Sequence, residues 1–302
     1  MSELALSVVL PVRDQPFPLQ ITLEWLARSL PQASEVIVVD DGSALPAKHV
    51  AAAFEQRIKL TVLELPGLGR AAARNAGWRT ARGVRVLFND ADRHPALSDL
   101  TPHLTGTGAV VGRHLEFYFS QPDQHSYALL NDFNRVRGKA REPIYPRLVR
   151  TMLFDEDGES RTGIPWAAFL TGNVSVERSR LADIGGFDEA FTSWGVEHFE
   201  LGYRLHATGC PFRVASQAVN YHIAHSREPN FYQQHMRESM LYFQQKHRAP
   251  VLDVFARFLF GEVPMQDVER AAPHPGPWPT LHHEDVHFLG LRSQTLARTT
   301  SP

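Results

Sequence analysis

The sequence predicts an α/β protein with a mostly parallel sheet flanked by helices. Three observations carry that expectation. Four short apolar runs fall within the first 90 residues, helical patterns lie between them, and two of the runs stop at paired acidic residues. Alternation of this kind argues for βαβ units. Leu4 to Val12 (LALSVVLPV) is the first strand, and Pro18 to Ser29 follows as a helix with Leu19, Leu23, Leu26 and Ala27 at helical spacing. Glu35 to Val39 (EVIVV) is the second strand, stopped by the turn residues Asp40-Asp41-Gly42-Ser43. Pro46 to Gln56 reads as a helix, Lys59 to Leu65 as the third strand, and Arg70 to Ala81 as an alanine-rich helix. Val84 to Phe88 (VRVLF) is the fourth strand, halted by Asn89-Asp90-Ala91-Asp92. Ligands of such sheets bind at the carboxyl ends of the strands, where both acidic clusters fall.

Composition narrows the class. The 302 residues carry 31 Lys+Arg against 33 Asp+Glu, a formal net charge of −2, with 43% hydrophobic and 21% charged residues. That excludes disorder along the whole chain. The single cysteine, Cys210, excludes a disulfide scaffold. No apolar run approaches the ~20 residues that cross a bilayer, and Met1 to Ser7 lacks the charged start and apolar stretch of a signal peptide. A cytoplasmic enzyme is the expectation. The near-zero charge gives no reason to expect a nucleic-acid or membrane-surface partner. The length fits one large domain or two small ones.

Beyond residue 100 the pattern is less regular. Gly106 to Phe119 reads as one or two strands. Gln121 to Asp157 is polar and carries Arg135, Arg137, Lys139, Arg141, Arg147 and Arg150, a set better read as a solvated helix face than as a phosphate-facing surface. From about Pro264 the chain is rich in Pro, Gly, His and Thr, which predicts an extended surface wrap or a disordered end.

An Asp-x-Asp at a strand end, as in Asp90-Ala91-Asp92, puts two carboxylates on one turn, and carboxylates with phosphate oxygens are what Mg²⁺ and Mn²⁺ prefer. With Asp40 and Asp41 on the same sheet edge, four carboxylates converge. Their repulsion favours a bound cation or a ligand offering donors, such as a uracil imide and ribose hydroxyls.

The series SVVLPV, VIVVDDGS, GLGRAAARNAG and FNDAD, in this order, resembles the nucleotide-sugar-binding domain of family 2 glycosyltransferases of the GT-A fold. LTGNVSVERSRLADIGGFDEAFTSWGVEHFELGYRL resembles the acceptor half of the same enzymes, with echoes of galactosyltransferase and chondroitin-polymerase members. The resemblance implies a catalytic domain over 1–245, its nucleotide-sugar half over 1–100 and its acceptor half over 101–245, with a C-terminal helix and Pro/His-rich tail over 246–302. It implies a UDP-sugar donor, Mn²⁺ or Mg²⁺, and a saccharide, glycolipid, peptide or small-molecule acceptor.

The same resemblance implies the site roles. Asp40 and, less directly, Asp41 hold uracil and ribose, and Pro11 shapes the first loop. Arg70 and Arg74 lie near the nucleotide, on a helix whose N-terminus suits a diphosphate; otherwise they are a solvent-facing pair four apart. Asp92 coordinates the metal and Asp90 reaches the sugar or ribose. His222 or His225 in YHIAHSR supplies a further metal ligand. Gly172 and Asn173 approach the donor sugar with main-chain and amide groups, Gly186 helps build the floor beside the acceptor, Trp194 stacks on a sugar face, and Trp166 is a second aromatic of that kind. Inverting members carry Glu-Asp where this chain has Glu197-His198. Either Glu197 or His198 then takes the acceptor proton, an imidazole being a competent base near neutral pH. The alternatives are a retaining mechanism of the N-acetylgalactosaminyltransferase type, a nucleotidyltransferase, whose Gly-rich loop is absent after the first strand, and a binding protein with a decayed site. Glu200 with Arg204 reads as an i,i+4 ion pair.

Overall fold

The computed structural model describes residues 4–119, 127–192, 194–224 and 231–276. Seven strands form one sheet in the order β3-β2-β1-β4-β6-β5-β7. They are β1 (Leu6–Val12), β2 (Ser34–Asp40), β3 (Leu60–Glu64), β4 (Arg85–Asn89), β5 (Ala109–Phe117), β6 (Asn173–Glu177) and β7 (Phe212–Ile223). Strands β1 to β4 pair in parallel, as do β5 and β7, while β6 runs antiparallel to both β4 and β5. The α-helices are α1 (Pro16–Ser29), α2 (Lys48–Ala51), α3 (Arg70–Thr80), α4 (Thr101–Thr105), α5 (Ala128–Asn131), α6 (Phe133–Val136), α7 (Ile144–Leu153), α8 (Arg178–Ile184), α9 (Glu197–Ala207), α10 (Phe231–His247), α11 (Pro250–Leu259) and α12 (Met265–Arg270). None among the described residues is long and apolar enough to cross a membrane.

The unbroken apolar character of β1, β2 and β4 has a packing cause. Successive strand residues face opposite sides, so a strand covered on both sides needs apolar residues throughout. Val8, Leu10, Val36, Val38 and Leu87 pack with Leu19, Leu23 and Leu26 of α1. Their neighbours Val9, Ile37, Val39, Val86 and Phe88 pack on the other face with Ala71, Ala73 and Trp78 of α3. Each such Val, Leu, Ile or Phe side chain contributes about 1.5–3 kcal/mol on burial. Helix α3 lies directly on the sheet because Gly77 has no side chain: a Cβ there would run into the Val9 methyls.

The expected strands of the first half match to within two residues. The second helix is shorter than Pro46 to Gln56, since α2 passes into a 3₁₀ turn over Ala52–Phe54. Gly106 to Phe119 holds one strand, β5. Arg135, Arg137, Lys139, Arg141 and Arg147 are exposed, as a solvated face requires, whereas Arg150 is half-buried against Glu142.

Two expectations for the second half are corrected. Trp166 is 1% exposed and lies in an aromatic core, its ring edge-on to Phe255 at 4.7 Å and to Tyr203 at 5.6 Å. It packs α11 against the rest of the core and offers no platform to a sugar. The chain after Pro264 is not simply a surface wrap, because α12 buries Met265 and Val268 in the main core. The polar residues of that stretch masked its two apolar anchors. Residues 277–302 lie outside the described part, and α10 runs through position 245, where the catalytic segment was expected to end.

Candidate active site

Strand β1 lies between β2 and β4, so the two acidic turns stand one strand apart on the same sheet edge. Their carboxylates meet different partners. Asp40 is 3% exposed and accepts hydrogen bonds from the backbone N–H of Ser43 (2.9 Å) and Ala47 (2.7 Å). Burial works against its charge, but Ser43 and these N–H groups hold its pKa below the ordinary value. Asp41 accepts from the N–H of Leu68 (2.6 Å) and Gly69 (2.8 Å), the residues leading into α3. Pro11 pairs in register with Val39 beside them.

The Asp90-Ala91-Asp92 turn meets side chains instead. Arg74 reaches it from α3, buried to 3% exposure. It donates to Asp90 Oδ1 through Nη2 (3.0 Å) and to Glu197 Oε1 through Nη1 (2.9 Å), with the Phe187 ring 5.7 Å from the guanidinium. The solvent-facing alternative thus fails for Arg74. Arg70 is exposed, and its guanidinium lies 5.6 Å from the Trp194 ring.

Glu197 is the first residue of α9, and the turn before it is strained. Gly195 and Val196 have φ of 83° and 73°, and a β-branched residue in the left-handed region is rare and costly. Burial opposes the charge of Glu197, yet His198, Arg74 and Arg70 hold its carboxyl well below the usual range. Its Oε2 is buried with no hydrogen-bond partner among the described residues, and His198 Nδ1 stands 3.9 Å away, beyond hydrogen-bond reach. Glu200 forms the expected pair, holding Arg204 with both oxygens at 2.7 Å.

Asp92 accepts from Gln15 Nε2 (3.0 Å) and faces His222 Nε2 at 3.6 Å. Despite burial, His222, Arg93 and Gln15 take the Asp92 carboxyl to about 2. The other ring nitrogen of His222 lies 3.4 Å from Glu116 Oε1, so the imidazole is held between two carboxylates. Ligands at ~2.1 Å from one ion stand at most about 4.2 Å apart, so Asp92 and His222 fit a shared divalent cation. Among the described residues no group of three or more His, Cys, Asp or Glu is placed to hold one. His225 lies outside the described residues.

Gly172 is at this centre. Its carbonyl accepts from Asn220 Nδ2, and a Cβ on it would lie 3.4 Å from Asp90 Oδ2. Asn173 is not free to reach a sugar: its amide donates to the carbonyls of Arg113 (3.1 Å) and Ala218 (2.8 Å), and its oxygen meets His103 Nε2 at 3.1 Å. Gly186 packs against Trp78 and Asn75, and its carbonyl accepts from Arg204 Nη2 (2.6 Å), so it supports the loop from behind. Glu116, Gln15, Arg93 and His114 join the centre without having been expected there from the sequence. The signal was present in β5 and β7, where polar residues two apart (His114 and Glu116, Asn220 and His222) share a face in strands otherwise largely apolar.

Residues 7–127 match the model for glycosyl transferase family 2, and residues 158–226 that for the N-terminal domain of galactosyltransferase. A validoxylamine A glucosyltransferase of Streptomyces hygroscopicus subsp. limoneus is 32% identical over 277 residues, covering 85% of this chain and 61% of the relative, so the chain spans about three fifths of that protein. The S. aureus TarS 1-349 structure in complex with UDP superposes with a TM-score of 0.59 at 17% identity, covering 84% of this chain and 71% of that one. A mannosyltransferase from Pyrobaculum calidifontis, in complex with GDP-Man and Mn²⁺, does so with a TM-score of 0.58 at 18% identity, covering 89% and 72%. With two family models laid along one mixed sheet of GT-A architecture, the chain belongs to the family 2 glycosyltransferases.

Proposed function

We propose that the chain moves a hexosyl or N-acetylhexosaminyl group from a UDP-sugar to an acceptor hydroxyl with inversion. The observation that carries this reading is the Arg74 bridge, which holds Asp90 of the first half and Glu197 of the second in one site beside Asp92 and His222. Residues 1–100 serve the nucleotide-sugar and 101–245 the acceptor, with Gly172 and His222 of the second half reaching back to the donor side. Asp40 and Asp41 set the two loops that wall the nucleoside, and a second lone pair on each oxygen is available to the uracil imide or ribose. The nucleobase assignment rests on this turn, since one structural neighbour is in complex with UDP and another with GDP-Man.

Asp92 and His222 would hold Mn²⁺ or Mg²⁺, which when bound offsets the charge building on the diphosphate leaving group. Arg74 fixes Asp90 and Glu197 in place through its two hydrogen bonds and favours the ionised form of Glu197. Trp194, with Arg70 over its ring, offers a flat surface to a sugar face. As the acceptor oxygen bonds to C1 and the C1–phosphate bond breaks, Glu197 Oε2 takes the hydroxyl proton and UDP leaves with the bonding pair. His198, the next residue on α9 with Nδ1 3.9 Å from that oxygen, is the second candidate base. Thermal-shift and UDP-release assays with UDP- and GDP-sugars, with and without Mn²⁺, test the reading: stabilisation and release specific to UDP-sugars and raised by Mn²⁺ are expected. Equal stabilisation by GDP-mannose ends the uridine assignment, and a product with retained anomeric configuration ends the base mechanism.

A further inference from the structure

Strands β5 and β7 lie side by side with His114 opposite Asn220 and Glu116 opposite His222. This polar row runs toward the two turns that carry Asp90 and Gly172, which adjoin because Asn89 pairs with Asn173. Glu116 and His222 face one another, but His114 is not engaged in that way. Its side chain is buried to 4% exposure, and neither Nδ1 nor Nε2 has a hydrogen-bond partner among the described residues. An unsatisfied buried polar group is costly, and such a group in a folded protein calls for a partner.

Gly172 shows what lies before the ring. A Cβ on this glycine would sit 3.2 Å from His114 Cε1, 3.3 Å from Arg93 Nε and 3.4 Å from Asp90 Oδ2. Three polar side chains therefore converge over the bare backbone of one residue. The Arg93 guanidinium brings its Nε to this point and meets Glu116 through Nη2 (3.4 Å), while its buried Nη1 has no hydrogen-bond partner among the described residues. Asp90 engages Arg74 through Oδ1, the oxygen away from this point. Burial brings the His114 imidazole down to about 3, so near neutral pH the ring is uncharged and offers one N–H and one lone pair. A donor from Arg93, an acceptor from Asp90 and one of each from His114 suit hydroxyl groups, which donate and accept alike. A phosphate would meet repulsion from Asp90. His114 also borders a hollow whose own charges are already paired, Glu142 holding both Arg113 and Arg150.

We propose that His114 reads a hydroxyl of the transferred hexose and so determines which donor sugar is accepted, an inference that rests on the UDP-sugar reading above. The test compares wild type with His114→Phe, which keeps a flat ring without nitrogens, and His114→Gln, which keeps a donor and an acceptor. Affinities for UDP, UDP-glucose, UDP-galactose and UDP-N-acetylglucosamine are measured by calorimetry with Mn²⁺, alongside kcat/KM for UDP release. His114→Phe is expected to bind UDP as wild type does, to lose about tenfold affinity for the preferred UDP-hexose, and to discriminate less among the sugars. His114→Gln should recover part of both. An unchanged sugar preference in His114→Phe overturns the proposal, as does an equal loss for UDP and UDP-hexose, which marks a structural role. Should the phenylalanine ring prevent folding, His114→Leu takes the same readout. Wild-type protein that binds UDP without preferring any hexose overturns the His114 role alone, whereas wild type that binds neither UDP nor a UDP-sugar overturns the underlying reading as well.

Discussion

The two acidic turns have the same residue type at the same place, the carboxyl end of a parallel strand, and opposite fates. At β2 all four oxygens of Asp40 and Asp41 accept backbone N–H groups of neighbouring loops. At β4 the oxygens of Asp90 and Asp92 meet Arg74, Gln15 and His222. One turn uses charge to hold the chain, and the other uses it to assemble a centre from residues distant in sequence. The difference lies in the path of the chain beyond each turn. After β2 the chain folds back on itself through Gly42 and Ser43, whereas after β4 the turn faces α3 and β7 across the strand ends.

Substitutions on the two sides should therefore separate activity from stability. The largest effect is expected at the β4 turn, where Asp92→Ala removes the best candidate ligand and should lower Mn²⁺-dependent transfer by ~10³-fold; full activity with unaltered metal dependence would remove Asp92 from the centre. His222→Ala should share the loss of metal-dependent UDP binding, and a His225→Ala variant that lost it instead would move the ligand role. Next, Glu197→Gln should cut kcat and kcat/KM together by ~10²-fold while donor affinity holds. His198→Asp should keep or raise activity, and a downward shift of the acid limb of its pH profile would assign the base to His198 instead.

At the β2 turn the readout changes. Asp40→Ala leaves two buried backbone donors unmatched and should cost about 2 kcal/mol of stability, measured by denaturant unfolding. A stable Asp40→Ala variant that binds no UDP-sugar would show that Asp40 serves the ligand first. The smallest effect is in acid. The folded pKa of Asp40 lies below its unfolded value of 3.8, so its stabilising contribution is complete above that value and is lost as pH falls through the folded one. Asp40→Asn should accordingly show a shallower fall of Tm below about pH 4; a slope equal to wild type would mean that the carboxylate is not linked to folding.

The first half was legible because both-face burial imposes a pattern that survives in one sequence: Val8, Leu10 and Val9 are apolar for two different neighbours, and no other arrangement of those runs is as economical. The site was partly legible. Asp90, Asp92, Arg74, Glu197 and His222 do come together, because strand ends and a helix start are positions where chain direction restricts the side chain. Trp166 and Asn173 misled because an aromatic or an amide close in sequence to the centre can satisfy itself in the core. Glu116 and His114 escaped notice because a polar residue inside a strand announces its face only once its neighbour is known, and β7 lies about a hundred residues downstream. The short helices between 128 and 153 and the helix after Pro264 gave too few turns for a periodic signal.

Arg74 has a thermodynamic consequence. One guanidinium serves as shared counter-ion to Asp90 and Glu197, residues that lie 107 positions apart in the chain and on opposite flanks of the centre. Anything that engages Asp90 alters how tightly that guanidinium holds Glu197, and linkage makes the effect run equally in the other direction. On the proposed assignment of Asp90 to the donor and Glu197 to the acceptor, order of addition and cooperativity between the two substrates would then become measurable properties of one residue.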